Sequence, residues 1–63
     1  MADYAVSSVH GGGFEAVKAK NLAMAKNKAV EFAVSWGVSV VLSCPDGSRY
    51  LYELARNQWL AAD

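Results

Sequence analysis

At 63 residues, 54% of them hydrophobic and with six basic against six acidic side chains, the chain has room for one small globular domain and carries no net charge to attract a polyanion. A chain this short buries only about 60% of the surface it exposes when unfolded, so it needs some further source of stability. The single cysteine, Cys44, excludes an intrachain disulfide, and with one histidine it makes no structural zinc site, which leaves oligomerisation as the aid to expect.

In chain order, residues 4–9 (YAVSSV) favour a strand, Gly11, Gly12 and Gly13 stop it, and residues 14–19 (FEAVKA) read as its return strand. The expected pairing sets Val9 against Phe14 and Val6 against Val17; these pairs point to opposite faces and leave the core side open. The rival is one helix over residues 14–36, with Phe14, Val17 and Leu22 on a common side. Lys18 and Lys20 near the positive N-terminal end and the want of a good cap count against it.

Residues 22–36 predict a helix that ends at Gly37. At about 100° per residue, Leu22, Ala25, Ala29, Phe32, Ala33 and Trp36 share one side. Lys26, Lys28, Glu31 and Ser35 lie outside that stripe, and Val30 and Val34 form a second apolar flank.

The strongest local signal is residues 38–54, VSVVLSCPDGSRYLYEL, where two alternating runs flank Pro45-Asp46-Gly47. A three-residue loop with Gly47 in the left-handed conformation sets Cys44 against Ser48, Leu42 against Tyr50, Val40 against Tyr52 and Val38 against Leu54 on one face. Val41 then opposes Leu51 on the other face, with Ser43/Arg49 and Ser39/Glu53. A one-residue slip would mix apolar with charged positions, so the pattern itself selects this register. Past Leu54, the tail is expected to form a helical turn or to lie over the core through Trp59 and Leu60.

Val6 with the Gly12-Gly13-Phe14 turn, the alanine-rich helix ending at Gly37, and the valine-rich strand leading into Asp46-Gly47 resemble a small bacterial family, domain of unknown function 2188. That family carries tryptophan where this chain has Phe14, and a Thr or Asp cap where this chain has none before Leu22. The resemblance spans most of the chain and implies an α+β fold, an antiparallel four-stranded sheet (ββαββ) with one helix packed on one face, and no assigned activity. The whole of residues 1–63 is expected to be this one domain.

The His10-Gly11-Gly12-Gly13 run resembles the oxyanion-hole segment of lipase-like hydrolases. That fold is several times longer, and no G-x-S-x-G nucleophile elbow is present. No Gly-Lys-Ser/Thr follows the glycines, as a phosphate loop requires. His10 has no serine or cysteine that spacing would bring to it, the carboxylates are scattered, and Cys44 is expected to pack as a small apolar group. The expectation is a non-enzymatic domain with no catalytic residues, cofactor or metal.

Lys18, Lys20, Lys26 and Lys28 fall in a stretch without acids and support one alternative, weak nucleic-acid binding from a lysine-bearing sheet and helix surface. The preferred reading is a protein-binding or self-associating module, a homodimer built through Val41 and Leu51 on the sheet and Val30 and Val34 on the helix. Its small size fits bacterial or phage accessory proteins and inhibitors. No apolar run approaches the roughly 20 residues that span a bilayer, and MADYAVSSVH lacks the features of a signal peptide, so a cytoplasmic chain is expected.

Overall fold

A computed structural model describes residues 1–62 as an α+β fold, with one helix on one face of a five-stranded antiparallel sheet. The elements are β1 (Ala2–Ser8), β2 (Phe14–Ala19), α1 (Leu22–Trp36), β3 (Val40–Ser43), β4 (Arg49–Glu53) and β5 (Gln58–Ala61), and the order across the sheet is β2-β1-β3-β4-β5. The helix therefore carries the chain from an edge strand back to the sheet centre, where β3 pairs with β1.

The β3–β4 hairpin has the register that its alternation predicts, with Val40 opposite Tyr52, Val41 opposite Leu51 and Leu42 opposite Tyr50. The Cys44 N–H donates to the Ser48 carbonyl at 2.9 Å and the Gly47 N–H to the Cys44 carbonyl at 3.0 Å, closing the three-residue loop. Gly47 sits at φ 92°, where a side chain would be strained. The expected outer pairs of Val38 with Leu54 and Ser39 with Glu53 fall outside the ladder. The Val38 N–H bonds to the Ala33 carbonyl at the helix end (3.2 Å), and the Leu54 N–H donates to Ser39 Oγ (3.0 Å).

The first hairpin is present and the long-helix rival is not, but the register differs by two residues from the expected one. Ser7 opposes Phe14, Tyr4 opposes Val17 and Val6 opposes Glu15. The shift lengthens the stretch between paired residues from 10–13 to 8–13. Being an even number of residues, it moves no side chain to the other face, and burial makes the choice that local pairing left open, with Tyr4, Val6, Val17 and Ala19 toward the helix and Phe14 away from it.

The sheet has a fifth strand where four were expected. Asn57 takes a left-handed turn conformation at φ 51° and accepts a hydrogen bond from the Tyr52 hydroxyl at 2.6 Å, and β5 then pairs with β4. Trp59 lands on the helix side against Tyr52, with ring centroids 5.2 Å apart, while Leu60 lands on the opposite face.

The helix starts at Asn21, whose side chain accepts from the Met24 N–H at 2.9 Å, so a cap is present after all. It ends at Gly37, which is left-handed at φ 72°. Ala25, Ala29 and Ala33 are fully buried. Their small side chains let the helix lie close over Val6, Val40 and Leu42, the largest fully buried side chains. Leu22, Phe32 and Trp36 flank this contact. Gly13 meets the Trp36 ring so closely that a Cβ there would stand 3.1 Å from it.

Two predictions follow from the β3–β4 turn. Gly47→Val should lower unfolding free energy by about 1 kcal/mol or more, read by urea denaturation; an unchanged midpoint would disprove the turn geometry. The Ser48 hydroxyl and N–H both donate to Asp46 Oδ1 (2.6 and 2.9 Å) and hold its carboxyl below its ordinary value, the hydroxyl contributing most. A depressed folded pKa stabilises above the unfolded value of about 3.9 and is lost as pH falls through the folded one. NMR titration of Ser48→Ala should find the Asp46 pKa raised.

Candidate functional site

In a sheet, directly opposed residues share a face, so the registers lay out the side that the helix leaves bare. One row crosses all five strands: Phe14 on β2, Ser7 on β1, Val41 on β3, Leu51 on β4 and Leu60 on β5. Four of its five side chains are apolar. Phe14 is 69% exposed and Leu60 37%, with Ser7, Val41 and Leu51 half-buried between them.

The rows on either side are small or polar. Toward the Pro45 turn stand Ala16, Ala5, Ser43 and Arg49, and toward the opposite end stand Glu53 and Gln58. Asp3 and Lys18 oppose one another on this face and form an ion pair at 3.1 Å, both well exposed. Arg49 and Glu53 have no oppositely charged partner among the described residues. Glu53 Oε1 is shut off from solvent and accepts no hydrogen bond. Glu53 is thus a half-buried side chain with one oxygen unpartnered among the described residues.

Of the expected interface residues, Val41 and Leu51 come together on this face and are neighbours in its central row. Val30 and Val34 do not join them, because α1 packs on the other side of the sheet. Val30 is moreover half-buried against the core, so the expected second apolar flank shrinks to Val34, which is 66% exposed. The tail does not cover the face either; Leu60 extends it by one strand. The first hairpin is expected to bring either Val9 with Phe14 or Val6 with Val17 to this face; burial of Val6 and Val17 under the helix leaves Phe14 to it, while Leu60 needs β5.

The four lysines are not gathered into one patch. Lys18 pairs with Asp3, and Lys26 turns over the rings of Tyr50 and Trp59, 4.8 and 5.2 Å from their centroids. Lys28 shares a shallow groove with Lys18, Glu31 and Phe32, while Lys20 is exposed beyond the end of β2.

His10 lies in the exposed β1–β2 turn, where its backbone N–H donates to Ser8 Oγ at 3.1 Å. Cys44 is at the other end of β3, in a hollow with Tyr4, Leu22 and Tyr50. No group of three metal-ligating side chains occurs among the described residues, and no helix there is long and apolar enough to cross a membrane.

Compared with family models, curated proteins and solved structures, the chain matches none.

The dispersal of the lysines predicts no micromolar affinity for DNA or RNA at about 0.15 M salt. Binding of that strength, weakening steeply with added salt in a fluorescence titration, would reverse the ranking of protein over nucleic acid as partner.

Proposed function

We propose that the chain is a non-enzymatic self-associating module that uses the uncovered sheet face to bind a second protein surface, its own copy first. The observation that carries this reading is the row Phe14, Ser7, Val41, Leu51, Leu60, an apolar band running from one sheet edge to the other with no element of the chain over it. Such a band in water favours burial against another surface.

At roughly 25 cal/mol per Å2, covering Val41 and Leu51 in two protomers contributes several kcal/mol, part of which offsets the entropy of association. The face carries Asp3 and Glu53 against Lys18 and Arg49, a balance that suits another mixed-charge protein surface better than a polyphosphate. The separation of His10 from Cys44 weighs against nucleophilic catalysis. A small accessory or inhibitor protein would act through a surface of this kind.

Sedimentation equilibrium tests the reading. The wild type should dimerise at high micromolar concentration, and Leu51→Lys should give a monomer with an unchanged circular dichroism spectrum. A wild type that stays monomeric there would refute self-association and turn the same face toward a foreign protein. A dimer indifferent to Leu51→Lys would place the contact elsewhere.

A further inference from the structure

We propose that the second copy packs face to face with its two-fold axis along the row from Phe14 to Leu60, so that Arg49 of each protomer pairs with Glu53 of the other. The inference rests on the self-association read above and specifies its geometry.

Arg49 and Glu53 point to the same face of β4, two residues to either side of Leu51. They stand about 13 Å apart along the strand, too far to pair within one chain. A two-fold axis along the row reverses the strand direction and leaves position along the row unchanged. It therefore brings Arg49 of one protomer over Glu53 of the other, and repeats the pair on the other side of the axis. The same rotation lays Ser43 over Ser39 and Ala5 over Val9, contacts without charge. An axis along the strands instead lays the Arg49 row on itself and leaves Glu53 without a cation.

Neither charge has a partner among the described residues, and the Glu53 carboxylate already has one oxygen out of reach of water. Two guanidinium–carboxylate pairs flanking an apolar strip give a self-complementary surface, as an isologous contact requires. The strands of the two sheets run nearly aligned, the usual packing of two sheets.

Area bounds the affinity. Five strands about 4.8 Å apart, each presenting some four residues at about 3.3 Å, offer a face of roughly 24 by 13 Å. Both copies together then bury roughly 600–700 Å2 by this flat measure, the size of a weak, transient contact, so the dimer should be concentration-dependent with a Kd in the high-micromolar range.

The test is charge exchange read by sedimentation. Arg49→Glu and Glu53→Arg, each alone, should weaken dimerisation about fivefold or more by opposing like charges twice per dimer. The exchanged double variant R49E/E53R should return to near the wild-type Kd, and an equimolar mixture of the two single variants should form a heterodimer. The mixture keeps the test valid if the double variant folds poorly, because each single chain can be checked by its own thermal melt. If the single reversals change nothing, or weaken the dimer with no rescue by the exchange or the mixture, the axis is wrong. Leu51→Lys separates the two failures: a monomer there upholds the face while the axis falls, and an unaffected dimer removes both.

Discussion

The contact on which the rest of the structure depends is the seating of Ala25, Ala29 and Ala33 on Val6, Val40 and Leu42. Methyl-sized side chains along one helix stripe bring α1 close to the sheet, and the core that results is thin, with no fully buried side chain larger than leucine. Larger groups close its rim. Phe32 and Trp36 stack at 5.2 Å at one end of the helix, and Tyr52 with Trp59 does the same across β4 and β5. The Lys26 ammonium over Tyr50 and Trp59 ties the helix to that second cluster. The close approach also explains Gly13, which leaves room for the Trp36 ring where any side chain would press against it.

Much of this was legible in the residues because it follows from short-range periodicity. The alternation around Pro45-Asp46-Gly47 admits a single register that keeps charge off the buried face, and the stripe from Leu22 to Trp36 marks the packing side of the helix; Gly37 marks its end. Other features depend on tertiary context. Which face of β1 and β2 turns to the helix is decided by burial of Tyr4, Val6 and Val17, and a run of three glycines signals a turn without fixing its length. β5 is four residues long and its turn uses Asn57 in place of glycine, a weak signal by itself that the Tyr52 hydroxyl reinforces from five residues away. The Asn21 cap is legible from residue type, since asparagine suits that position as well as aspartate does. As for the candidate surface, Val41 and Leu51 follow from the hairpin pattern, while Phe14 and Leu60 become visible only once the outer strands are in place.

The alternation that builds the core also builds the face that the proposed dimer uses. Each strand that sends one side chain toward α1 sends the next away from it, and a single helix covers one side of a sheet only. In a chain with so thin a core, Val41 and Leu51 on the bare side cost solubility unless something covers them. In the proposed dimer, Arg49 and Glu53 on either side of Leu51 would disfavour slipped contacts and select one orientation, as charges at the margin of an apolar strip commonly do. Stability and association are thereby linked in the proposal, since whatever covers the face also favours the folded state by mass action.

The uncovered-face dimer is tested most directly by isotope-filtered NMR on an equal mixture of labelled and unlabelled chains. Intermolecular contacts are expected from the methyl groups of Val41, Leu51 and Leu60 and from the Phe14 ring, growing with concentration. Contacts arising instead from Val34 and Met24 on the helix, or none at about 1 mM, where a dimer of high-micromolar Kd would be well populated, would contradict it.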